Sequence, residues 1–148
     1  MRPTSVAGDG RADLVTDNGE RTPVSPHVDV SPTADRIGRT LLAVCAIATL
    51  GAFAQGIQLI ADASDDDLIT QAWRTFAYLV FAGLWGMLAW APRQQRGMWE
   101  MLFVHKIAIT VFALAVIDKP TAVQHVIIDG TVVVATAVAY VLCRGWYT

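Results

Sequence analysis

What most constrains this chain is a succession of apolar runs of bilayer length that begins after Arg36. A bilayer's hydrocarbon core is about 30 Å thick, and a helix needs about 20 apolar residues to cross it. Such runs fall at about residues 40–61, 73–91, 98–117 and 121–143. They lack the polar stripes at helical spacing that mark a soluble core helix. The expected fold is therefore all-α, an integral membrane bundle of four transmembrane helices over residues 36–148. The fourth run is Val-rich, which in water would favour a strand. In lipid its length and the need to satisfy every backbone group favour a helix. Most of the chain's 54% hydrophobic content, and its mean hydropathy of +0.44, comes from these runs.

Residues 1–35 differ in kind. Pro, Gly, Ser, Thr and Asp dominate, and aromatic residues are absent. Such a segment buries too little apolar surface to offset its ordering entropy, so a disordered cytoplasmic tail is expected. It opens without the apolar core of a secretory signal. Ser31-Pro32 is nonetheless a helix-start signal, a capping hydroxyl followed by Pro at the first helical position. Between the first two runs, Asp62 to Gln71 includes Asp65, Asp66 and Asp67. Without interleaved ligands and a turn glycine this is no calcium loop, and it reads as a solvated connection.

Small residues recur every four positions at Ala48, Ala52 and Gly56, and again at Ala82 and Gly86. They are expected to let neighbouring helices approach closely. Arg36, Arg39, Arg93, Arg96 and Arg144 fall on one side of the four runs, whereas only Arg74 and Lys119 flank the other. The positive-inside rule then predicts a multi-pass protein of the cell membrane with both termini cytoplasmic. Trp90, Trp99, Trp146 and Tyr147 would form the inner aromatic belt, with Trp73 near the outer one.

Charged residues inside such runs are expensive, each costing about 2.5–3.5 kcal/mol on insertion scales, and they usually face a partner or a cavity. Lys106 lies roughly 12 Å along the third run and Asp129 roughly 12 Å along the fourth from the opposite face, at 1.5 Å per residue. Their backbones then differ in height by roughly 6 Å in a 30 Å core, a gap a lysine stem bridges. His125 lies one turn before Asp129 on the same face, and Thr110 one turn after Lys106. Gln55, Gln58 and Arg74 fall in the same half of the bundle. Lys106, His125, Asp129, Gln55, Gln58, Arg74 and Thr110 are therefore the candidate polar pocket. The alternative is a purely structural Lys106–Asp129 bridge. Glu100 lies close enough to the interface to be solvated.

His105 and His125 differ in depth by roughly 13 Å at the helical rise, a poor match to two axial ligands of one haem. One histidine with a different axial ligand stays open, and the sequence names no cofactor. Cys45 and Cys143 form neither a redox motif nor a metal pattern. No phosphate loop, zinc helix or serine elbow occurs. There is no basic run, so nucleic acid is not an expected partner. The expected partners are the bilayer and a membrane protein or a second copy of the chain.

Arg36 and Arg39 ahead of the first run, Gly56 within it, Arg74 among aromatic residues and the late Asp129-Gly130 together resemble small four-helix DoxX-like membrane proteins. The resemblance covers about residues 36–143 and implies a four-helix membrane fold. Some members of that family are associated with quinone-linked sulfur or thiol redox chemistry. No cysteine pair here matches that activity, so no catalytic residue is carried over. Two function classes follow. The first is a non-enzymatic accessory or assembly subunit. The second is a small lipophilic-ligand-binding or quinone-linked redox protein that uses the polar cluster. A channel or transporter would require oligomerisation, because the runs are continuous.

Overall fold

The computed structural model describes residues 31–95 and 97–146. The proposed tail over residues 1–30, Arg96 and Tyr147 lie outside the described residues. Four helices and no strand occur among the described residues: α1 (Pro32–Ala61), α2 (Asp65–Trp90), α3 (Met98–Ala115) and α4 (Ala122–Leu142). They alternate in direction. One end, the terminal end, carries Pro32, the α2–α3 loop and Cys143. The other, the turn end, carries the α1–α2 and α3–α4 connections. The helix α1 packs against both α2 and α4, and α3 packs against α4, whereas α2 and α3 meet only sparsely.

Helices α1, α3 and α4 are long and apolar enough to cross a membrane. The helix α2 has the length, but its first ten residues include three Asp and Arg74, and several Trp and Gly follow. The surface matches this composition. Ile69 is 77% exposed, Val104 71% and Trp90 84%, and large apolar side chains point outward on every helix. A monomer in water rarely displays so much contiguous apolar surface.

Two helices start earlier than their apolar runs. The helix α1 begins at Pro32, so residues 32–35, grouped by composition with the tail, are helical. Pro32 at the first helical position marks this start, while Ser31 at the N-cap makes no side-chain capping bond, contrary to the expected capping hydroxyl. The helix α2 begins at Asp65, which corrects the reading of Asp65, Asp66 and Asp67 as a loop. Carboxylates suit the positive end of a helix dipole. Ser64 sits at the N-cap, and its hydroxyl donates to Asp67 Oδ2 at 3.0 Å. At the other connection α3 stops at Ala115 rather than Ile117, and Pro120 disfavours helical geometry at Lys119 before it. Gly97 takes φ +80° at the entry to α3, a value that favours glycine.

The packed core occupies the terminal half. Leu42, Cys45, Trp85, Leu88, Trp99, Leu102 and Ala139 form one buried cluster drawn from all four helices. Beneath it Asp35 links three elements. Its carboxylate accepts from Arg39 Nε at 2.7 Å and from Arg93 Nη1 at 2.6 Å. Arg93 also donates to the Cys143 carbonyl at 3.0 Å, and Arg39 to the Trp90 carbonyl at 2.6 Å. Gly38 lets α1 meet the end of α4, since a Cβ there would lie 2.5 Å from Cys143 Sγ.

Candidate functional site

Above that core, toward the turn end, the four helices line a partly open cavity of about 380 Å³. Its α1 wall is Ala48, Thr49, Ala52, Gln55 and Leu59, and its α2 wall is Arg74, Tyr78 and Trp85. Lys106 enters from α3. The α4 side is Thr121, Gln124, His125, Ile128, Asp129 and Val132. Trp85 donates through Nε1 to Thr136 Oγ1 at 3.2 Å, joining α2 to α4 across the bundle. Thr136 in turn donates to the Val132 carbonyl at 2.7 Å.

The polar heart is the ion pair Lys106 Nζ–Asp129 Oδ1, at 2.8 Å. The two side chains are only 12% and 10% exposed, so water screens the pair little. Register alone predicts this contact, and the short distance fits a charge-assisted bond. Lys106 also stands 4.9 Å from the centre of the Phe81 ring and 5.6 Å from that of Trp85. Both fall within cation–π range. His125 Nδ1 lies 3.6 Å from Asp129 Oδ2, an electrostatic contact too long for a hydrogen bond.

Compared with protein-family models, with curated proteins and with solved structures, the chain matches none. The site must be read from its own geometry.

Five of the seven candidate residues, Lys106, His125, Asp129, Gln55 and Arg74, line this one cavity. Gln58 does not. Positions 48, 52, 55 and 59 share one face of α1, and Gln58 sits three residues, or about 60°, off the line through Gln55. Thr110 is also outside the cavity. Its hydroxyl donates to the Lys106 carbonyl at 2.7 Å, and its methyl lies opposite Gly130 where α3 meets α4.

The small-residue ridge divides in two. Gly56 meets Thr75, where a Cβ would fall 2.5 Å from Oγ1, but Ala48 and Ala52 instead leave room for the cavity. The Ala82 and Gly86 pair also separates, Ala82 buried and Gly86 facing open space. His105 lies outside the cavity too. It leans on Phe81 with ring centroids 4.4 Å apart and borders a shallow apolar groove with Met101, Val104 and Phe112.

Tyr78, Gln124 and Thr121 line the cavity without having been singled out in the sequence. Tyr78 lies one helical turn after Arg74 and follows from a residue already chosen, whereas Gln124 is offset by about 100° from His125 and carried no such signal. Thr121 has a different signal. It takes φ +67°, an outlier for a β-branched residue and a strain of order 1–3 kcal/mol at the cavity rim. Among the described residues no three His, Cys, Asp or Glu side chains gather to hold a metal ion. The cavity offers one cation–carboxylate pair, a second cation, an imidazole, a phenol and two amides, beside aliphatic walls. Such a set has the chemistry to hold and orient a small amphipathic molecule.

Proposed function

We propose that this chain is a multi-pass protein whose four helices all span the cell membrane, with both termini cytoplasmic. In this reading it binds a small lipophilic ligand in the cavity of the turn half. The carrying observation is the convergence of Gln55, Arg74, Lys106, His125 and Asp129, from four helices, on one space of about 380 Å³. That volume lies in the range of small-molecule sites, which are concave, mostly apolar and marked by a few placed polar groups. A helical bundle that needed only a fastener would close around Lys106 and Asp129. Here small residues, Ala48 and Ala52, stand opposite them. Kinship with DoxX-like proteins is proposed on the same footing, without their redox chemistry.

The accessory-subunit reading retains one specific observation, the bare face at Gly83 and Gly86 of α2, where an added Cβ meets nothing within 4 Å. One experiment separates the two readings. The chain is purified in mild detergent, and the small molecules it carries are identified by native mass spectrometry. A stoichiometric small molecule is expected on the wild type and not on Ala52→Trp, which fills the cavity. A protein subunit in its place, with no small molecule and no effect of Ala52→Trp, would favour the accessory role.

A further inference from the structure

Charge is unbalanced in the cavity. Lys106 is matched by Asp129, but Arg74 has no carboxylate partner among the described residues. Its one hydrogen bond runs from Nη2 to Gln71 Oε1 at 2.5 Å, on its own helix. Its Nε is buried and has no hydrogen-bond partner among the described residues. The lining therefore holds two side-chain cations, Lys106 and Arg74, and one carboxylate, Asp129. An unpaired guanidinium in a cleft between helices is costly, and an unsatisfied buried donor adds to that cost.

Height agrees with charge. Measured from their turn ends at 1.5 Å per residue, Gln55, Arg74, Lys106 and Asp129 lie roughly 9–14 Å down their helices. Arg74 thus shares a layer with the ion pair rather than hanging outside it. Gln55 and Tyr78 line the same space. Ala52, Ile128 and Val132 add apolar wall.

We infer that the ligand is a singly charged oxyanionic amphiphile, its carboxylate or phosphate held by the Arg74 guanidinium and its apolar body lying along Ala52, Ile128 and Val132. The inference rests on the pocket reading above and gives that pocket its substrate class. The planar fork of arginine suits a carboxylate or phosphate, and such charge-assisted bonds are about twice as strong as neutral ones. One negative charge would match Arg74 and satisfy its Nε without disturbing Lys106 and Asp129. At about 30 Å³ per water-sized group the cavity holds roughly a dozen such groups, the size of a ten-carbon acid.

The test uses the full chain in dodecyl maltoside, with decanoate and its neutral counterpart decanol as probes. Affinity is read by calorimetry and thermal shift. Decanoate should bind at least about ten-fold more tightly than decanol, and Arg74→Gln should abolish that difference, a change worth about 1.4 kcal/mol. Arg74→Gln should also raise the melting temperature of the empty protein, because it removes an unpaired cation. An arginine kept for folding would give the opposite shift. Should Arg74→Gln fail to fold, Arg74→Lys is the second variant, expected to keep a weakened preference for decanoate. A Lys variant with an unchanged preference would overturn the guanidinium assignment.

A second arm distinguishes the source of the oxyanion. Nanodiscs of phosphatidylcholine with or without phosphatidylglycerol, a singly charged phosphodiester, are examined by native mass spectrometry. Retention of phosphatidylglycerol, dependent on Arg74, with no decanoate binding, would identify a lipid headgroup. Equal binding of decanoate and decanol, both lost in Ala52→Trp, would overturn the oxyanion inference and leave the pocket standing. If neither probe nor phosphatidylglycerol binds, the inference falls. If the wild type also carries no small molecule, the pocket reading falls with it.

Discussion

Lys106 touches an acid, two aromatic rings and a cavity within one side-chain length. Removing either end of its ion pair leaves the other charge buried, which commonly costs about 3–5 kcal/mol, while apolar replacement of both is often neutral. The double variant Lys106→Met, Asp129→Leu should therefore unfold at a higher temperature in detergent than either single variant. The Met side chain keeps apolar contact with Phe81 and Trp85. Coupling should be visible in a double-mutant cycle, since residues in direct contact depart from additivity. Additive losses would mean that the two sites act independently. If the double variant recovers stability but no longer binds the ligand, the pair serves the pocket as well as the fold.

At the scale of elements, identical residues do different work. Gly56 packs against Thr75, whereas Gly51, five residues earlier on α1, has nothing within 4 Å of an added Cβ. Gly56→Ala should force α1 and α2 apart and cost about 1–3 kcal/mol, the usual price of overpacking. Thr75→Ala should restore much of that loss, because Thr75 supplies the obstructing atoms and its buried hydroxyl has no hydrogen-bond partner. Gly51→Ala should be neutral or stabilising by up to about 1 kcal/mol, because alanine is the better helix former. Thermal unfolding of the four variants tests the α1–α2 interface directly. Equal effects at positions 51 and 56 would contradict the observed rotation of α1.

For the whole molecule, the described arginines are asymmetric. Arg36, Arg39, Arg93 and Arg144 gather at the terminal end, and Arg74 lies in the turn half. If the bundle spans the membrane as proposed, the terminal end faces the cytoplasm. A cysteine placed at Ser64 should then react in intact cells with a thiol reagent that cannot cross membranes. One placed at Gln94 should react only after the cells are opened. Cys45 and Cys143 are both buried, so they should contribute little background. Reversed labelling would invert the protein, and labelling at both sites would mean that α2 does not cross.

The four helices, their order and the meeting of Lys106 with Asp129 were legible in the sequence. Run length and a fixed rise per residue determine them, and both are local properties. Much of what lies around that pair was not. Ala48 and Ala52 look like packing residues and instead leave space. Gln55 lines the cavity while Gln58 does not. Asp35, which reads as part of a tail, ties α1 to the α2–α3 loop. A helix that is apolar all round carries no stripe to say which face is inside, so its rotation is set by its neighbours. Here Trp85, Trp99 and Leu102 fill the terminal half. Smaller side chains opposite the ion pair leave the cavity in the turn half. Only the packed bundle decides that Arg74 lines the same space as Asp129, which is already paired with Lys106.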